Sequence, residues 1–198
     1  MSRQNKVSGV VLAGGRAQRM GGLDKGLLAY RDQPLVSYAL TALRQVVDQC
    51  LISANRHHDR YGAFGVPVLG DGNDHFDGPL AGILAAMQAA NHPRLLVVPC
   101  DSPLITATHL QRLLLALDGQ TEIAVAFDGE RLHPVFAALK TDLQNDLRGF
   151  LLGGERKLGL WMQSSVCVNV DLSDQPQVFF NVNTQQDLLM LEKGVTPL

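Results

Sequence analysis

The sequence has no long hydrophobic run, no surplus of either charge and no paired cysteines, and each absence removes a class of protein. No segment approaches the roughly 18 apolar residues of a membrane span, so no membrane partner is expected. Lys and Arg total 17 against 19 Asp and Glu, a formal net charge of −2 over 198 residues. A nucleic-acid surface would call for a strongly basic face, so no nucleic-acid partner is expected either. Cys50, Cys100 and Cys167 form an odd, widely spaced set without a CxxC. That excludes a disulfide framework, and all three read as small buried apolar residues. The opening MSRQNKVSG lacks the apolar core of a signal peptide, so the expected compartment is the reducing cytoplasm.

Several catalytic signatures are missing as well. There is no GxxxxGK[ST] phosphate loop and no GxGxxG dinucleotide fingerprint. No Ser or Cys sits in a GxSxG elbow, so covalent catalysis by the protein is unsupported. His57 and His58 are adjacent, and His75, His92, His109 and His133 lack ligand spacing, so the histidines read as surface or packing residues.

What remains is an apolar-rich chain, 46% hydrophobic and 18% charged, whose pattern alternates strands with helices. VSGVVLA (7–13), CLISAN (50–55), VPVLGD (66–71) and RLLVVPCD (94–101) read as strands, the last buried on both faces. PLVSYALTALRQVV (34–47), GPLAGILAAMQAA (78–90) and THLQRLLLAL (108–117) read as helices. In the second half, strands are expected at 122–128, 133–139, 166–172 and 178–183, and helices at 141–152 and 184–193. Thr184 is the expected N-cap of the last helix. Such alternation implies parallel βαβ units. The expected fold is α/β: a Rossmann-like three-layer α/β/α sandwich with a mostly parallel central sheet, in one domain.

The most informative stretch is GVVLAGGRAQRMGGLDKGLL, residues 9–28. It leaves the first strand at its carboxyl end, where open α/β sheets bind ligands. Gly14 and Gly15 carry no Cβ, so backbone N–H groups can approach an anion. Arg16, Arg19 and Lys25 add cations suited to phosphates. Asp71 and Asp101 each close a strand at the same edge. A carboxylate there can hold Mg²⁺ bridging a nucleotide's phosphates, and its alternative role is a helix cap or turn.

Taken in order, LAGGRAQRMGGLDKGLL, SANR (53–56), DGPLAGI (77–83), PCDSP (99–103) and FFNVNTQQDL (179–188) resemble the molybdenum cofactor guanylyltransferases. These belong to the Rossmann-like nucleotidyltransferase group. The resemblance runs over nearly the whole chain. It implies transfer of GMP from GTP to molybdenum-bearing molybdopterin, forming the guanine dinucleotide cofactor and pyrophosphate, with Mg²⁺ as cofactor. It places Leu12, Ala13, Gly14, Gly15, Lys25 and Asp71 against GTP, with Gly78, Pro79, Leu80 and Gly82 near the base. Arg19, Lys25 and Asp101 become the catalytic set, with Asp101 the metal ligand as well as a GTP contact. Asn181 and Asn183 of NVN fall on the molybdopterin side. Ser53 and Asn55 also belong to the GTP set, although some relatives carry Asn where this chain has Ser53. The expected organisation is a cytoplasmic monomer with an N-terminal GTP half and a C-terminal molybdopterin half. Its protein partners would be molybdenum-insertion proteins and molybdoenzyme chaperones.

No protein nucleophile is required, because the acceptor's own phosphate attacks the α-phosphorus. Catalysis would then rest on positioning and charge neutralisation. Three alternatives share the loop chemistry. They are a cytidylyltransferase of molybdopterin or another phosphorylated acceptor, a sugar-1-phosphate guanylyltransferase, and a non-catalytic nucleotide-binding protein.

Overall fold

The computed structural model describes residues 6–14, 24–70 and 78–194. Chain order begins with β1 (Val7–Leu12), a short hairpin of β2 (Ala29–Tyr30) and β3 (Gln33–Pro34), and α1 (Leu35–Arg44). It continues through β4 (Gln49–Ser53), α2 (His58–Gly62), β5 (Val68–Leu69), α3 (Pro79–Ala89), β6 (Arg94–Pro99) and α4 (Ala107–Ala116). The last part holds β7 (Ile123–Phe127), β8 (Leu132–Lys140), α5 (Gln144–Leu152), α6 (Leu158–Met162), β9 (Cys167–Asp171) and α7 (Gln185–Glu192).

Seven strands form one sheet in the order β5-β4-β1-β6-β8-β7-β9. All neighbours are parallel except where β8 pairs antiparallel with β6 and with β7. Alternate residues of a strand face opposite sides of a sheet, and here both sides are apolar. On β6, Leu96 and Val98 join one core with Val36, Leu40 and Leu43 of α1 and Leu110 and Leu113 of α4. Leu95 and Val97 join the other with Leu80, Ile83 and Met87 of α3, Leu147 of α5 and Trp161 of α6. Three layers result, as the alternation of elements predicts.

Two expectations need correction. Residues 178–183 are not a strand. A 3-10 turn spans Pro176–Phe179, and the extended stretch beyond it makes a single main-chain tie, Val182 N–H to the Asp101 carbonyl at 2.8 Å. The 3-10 turn takes up Val178 and Phe179, and Asn181 and Asn183 bond through their side chains to Ser102 and Lys25. The cysteines are also not uniformly buried. Cys100 is buried, Cys50 is half-buried, and Cys167 is exposed because β9 is the edge strand. The terminal helix does begin at Thr184, whose hydroxyl accepts from the Asp187 N–H at 3.1 Å while Asp187 accepts from the Thr184 N–H.

Candidate active site

Parallel pairing brings three strand ends to one level. Leu12 stands opposite Ser53 on one side and Pro99 on the other. The ladder runs one residue further, with Ala13 N–H to the Ser53 carbonyl at 2.8 Å, Ala54 N–H to Leu69 at 2.8 Å and Cys100 N–H to Leu12 at 3.1 Å. Past that point the chains diverge, and Gly14, Asn55 and Asp101 emerge at the same edge. The Asn55 amide lies between two glycines, since a Cβ at Gly14 would sit 3.9 Å from its Nδ2 and one at Gly70 3.8 Å from its Oδ1.

Helix α3 starts at this edge. Gly78 holds φ 70°, in the region that favours glycine, and Pro79 takes the first helical position. One turn in, Gly82 passes so close to β4 that a Cβ there would lie 2.5 Å from the Ser53 Oγ. Ser53 is itself buried, so its hydroxyl is sealed beneath α3 while its carbonyl accepts from the Ala13 N–H. The Leu80 side chain is wholly inside the core, so this position can meet a ligand only through its backbone.

Lys25, Asp101, Asn181 and Asn183 converge. Lys25 Nζ donates to the Asn183 Oδ1 at 2.5 Å and stands 3.8 Å from the Asp101 Oδ2. Ser102 Oγ donates to the Asn181 Oδ1 at 2.5 Å, and Asn183 Nδ2 donates to the Asn181 carbonyl at 3.3 Å. Asn181 and Asn183 therefore do not cap α7 with their side chains; Thr184 does. Burial pushes the Asp101 carboxyl above its ordinary range, and the nearby Lys25 ammonium and a backbone hydrogen bond pull it back only in part. Burial likewise holds the Cys100 thiol well above its usual range, so it is a packing group rather than a nucleophile.

Behind Asn181, two histidines fix the return of the chain. The His133 ring stacks on Phe179 at 3.8 Å between centroids, and its Nε2 lies 2.6 Å from the Asp128 Oδ2. Burial would raise the Asp128 carboxyl, but hydrogen bonds from His133 and the Arg131 and Glu130 N–H groups outweigh it and hold it well below its ordinary range. His109 is buried, closes the cap of α4 through Thr106 and reaches the Gln175 Oε1 at 2.9 Å. The expectation of packing roles holds for both.

Gly15, Arg16, Arg19 and Asp71 lie outside the described residues, so the structure brings together only part of the expected set. Three participants were missed by sequence reasoning: Asp24, Tyr61 and Ser102. Asp24 had a legible signal, since Asp two residues before Gly26 is a capping pattern. Tyr61 had none.

Among the described residues, Asp101 has the chemistry to hold a metal ion. Among the described residues no three His, Cys, Asp or Glu side chains cluster as a ligand cage. Mg²⁺ does not need one, because it keeps several waters and binds through one or two carboxylates plus substrate phosphates. Asp101, recessed and with its charge only partly offset at 3.8 Å, is a carboxylate of that kind.

Residues 9–167 match the MobA-like NTP transferase domain. The chain is 44% identical over 191 residues to the molybdenum cofactor guanylyltransferase of Shewanella loihica, covering 96% of this chain and 97% of that one. It is 43% identical over 183 residues to the enzyme of the same name from Mannheimia succiniciproducens, covering 92% and 96%. The fold matches the crystal structure of molybdopterin-guanine dinucleotide biosynthesis protein A from Archaeoglobus fulgidus with TM-score 0.77 at 20% identity, over 94% and 97% of the two chains. A sheet edge lined with backbone groups, a recessed lysine–aspartate pair and relatedness along the whole chain agree: this protein belongs to the MobA-like NTP transferase family, among the molybdenum cofactor guanylyltransferases.

Proposed function

We propose that the protein transfers GMP from GTP to the terminal phosphate of molybdenum-bearing molybdopterin. A phosphate oxygen of the acceptor attacks the α-phosphorus of GTP, the bond to the β-phosphate breaks, and pyrophosphate leaves. The observation that carries this reading is the convergence of Lys25, Asp101 and Asn183 from three distant segments at the carboxyl edge of the sheet. No protein base is required, because a phosphate monoester is already ionised near neutral pH.

On this reading the backbone of Leu12, Ala13 and Gly14 lies along the nucleotide, with Gly15, Arg19 and Asp71 completing its surroundings. Ser53, Asn55 and the Gly78–Gly82 turn serve the base side. With Ser53 Oγ sealed under Gly82, Asn55 is the better-placed side chain to recognise the base. Lys25 meets charge developing on the departing pyrophosphate, the term that such donors stabilise most. Asp101 is the residue that would hold Mg²⁺. Bound there, the ion would neutralise phosphate oxygens and keep the displacement in line. Asn181 and Asn183 face the acceptor. The chain then works as one domain with a GTP half and a molybdopterin half, as a cytoplasmic monomer. It would be supplied by molybdenum-insertion proteins and would deliver to molybdoenzyme chaperones. Among the described residues no helix is long and apolar enough to cross a membrane.

The test is pyrophosphate release with molybdopterin present and GTP, CTP and ATP offered in turn. Release with GTP alone is expected. Release with CTP instead would make the protein a cytidylyltransferase, and release with none would leave it a binding protein.

A further inference from the structure

Tyr61 is wholly buried, yet it carries a hydroxyl that the mechanism above does not use. That hydroxyl reaches from α2 to the end of the glycine-rich segment and donates to the Asp24 Oδ1 at 2.5 Å. The same Asp24 oxygen accepts from the Gly26 N–H at 3.2 Å, and the Asp24 carbonyl accepts from the Leu27 N–H at 3.1 Å. Asp24 is thereby the N-cap of the 3-10 turn Lys25–Leu27, whose first residue is the lysine of the site. Packing is equally close. A Cβ at Gly26 would fall 2.5 Å from the Tyr61 hydroxyl and 3.3 Å from the Cys100 Sγ.

A long, unbranched Lys has much rotamer freedom to lose, so its charge is useful only where its backbone is held. We infer that Tyr61, through Asp24, is a positioning residue that sets where Lys25 carries its charge. The inference rests on the reading of Lys25 as the cation of the reaction. Tyr61 touches no substrate. Its hydroxyl holds the cap, the cap holds the turn, and the turn aims Lys25 at Asp101 and Asn183. Burial, with added contributions from Cys100 and the Asp24 hydrogen bond, drives the Tyr61 hydroxyl far above its ordinary range, so it stays a donor at any physiological pH.

The test compares Tyr61→Phe, Asp24→Ala, the double variant and Asp24→Asn, with a melting curve for each. Tyr61→Phe should lower kcat about tenfold, the size of one lost buried hydrogen bond, with KM for GTP changed less than about twofold. The double variant should be no slower than Asp24→Ala alone, because both changes cut one chain of contacts. Asp24→Asn keeps a carbonyl acceptor for Tyr61 and Gly26, and should retain most of the activity. A second readout needs no substrate. The Asn183 side-chain amide resonance, assigned by its loss in Asn183→Ala, should shift in Tyr61→Phe toward its position in Lys25→Ala. If Tyr61→Phe will not fold, Asp24→Ala alone must give the kcat loss and the shift. Full kcat with an unmoved Asn183 amide would overturn the inference, as would multiplicative losses in the double variant. If the unaltered protein releases no pyrophosphate, the functional reading fails, and the Asn183 resonance still decides on Tyr61.

Discussion

The two halves of the sheet's carboxyl edge are built by different means. From β5 to β6 the edge is built from backbone. Strand ends lie in register, Ala13, Ala54 and Cys100 extend the ladder, and glycines clear the approaches. Past β6 and β8 it is side chains. Asn181 and Asn183 stand on a stretch with one main-chain tie, braced by Ser102, by the His133–Phe179 stack and by His109 on Gln175. On the proposed reading, the turns that follow the strand ends of the first half would take the triphosphate, where glycines let backbone approach it. A stretch outside the ladder frees its amides for a partner with a particular pattern of donors and acceptors. Lys25 and Asp101 lie on the seam.

The seam should break first. Lys25→Ala is expected to reduce kcat about 10²–10³-fold, the loss seen when one preorganised donor to a developing anion is removed. Stability should fall as well, by about 1–3 kcal/mol, because the change leaves Asn183 and the recessed Asp101 carboxylate without their partner, checked by melting beside the kinetic assay. Near-normal turnover would separate the two halves and remove Lys25 from both.

Asp101→Asn should cost activity on a similar scale, with little recovery in a Mg²⁺ titration. It should also raise the melting temperature near neutral pH. The Asp101 carboxyl is raised in the folded protein, so its contribution to stability is present below the unfolded value and is lost as pH rises through the folded one. The advantage of Asn should therefore shrink as pH falls through the acid range. An advantage that grows there would mean that the carboxylate is stabilising.

Replacing Asn181 and Asn183 together with Ala sharpens the division between halves. Acceptor affinity should weaken about tenfold or more while GTP affinity, measured by calorimetry, stays within about twofold. A collapse of GTP affinity instead would move this segment to the nucleotide half.

Gly82→Ala probes the backbone half by packing alone. The added methyl meets the Ser53 Oγ, so a loss of roughly 1–3 kcal/mol is expected. Adding Ser53→Gly should recover much of it in a melting experiment. No recovery would show that β4 and α3 are held apart by something other than this contact.

Much of the proposed nucleotide half was legible as sequence pattern because its signals are local. A buried strand, a glycine pair, a spaced lysine and a proline after Gly78 each declare themselves within a few residues. The acceptor half was less so. VFFNVN has the composition of a strand, and what it bonds instead lies far away in sequence: Asn183 meets Lys25, Asn181 meets Ser102 and Val182 N–H meets the Asp101 carbonyl. Tyr61 sits on a helix of only five residues, and nothing beside it in the sequence predicts that it reaches Asp24.

The amino-acid order by itself determined the alternation of strand and helix, the two-faced burial of β6 and the cap at Thr184. These follow from periodicity and from the side chains of single residues, which act over one or two turns of chain. The tertiary structure alone decided that Lys25, Asp101 and Asn183 share a site, that Ser53 is sealed under Gly82, and that Tyr61 holds Asp24. Each of those contacts joins segments far apart in sequence, and their meeting depends on strand order and register rather than on any local preference.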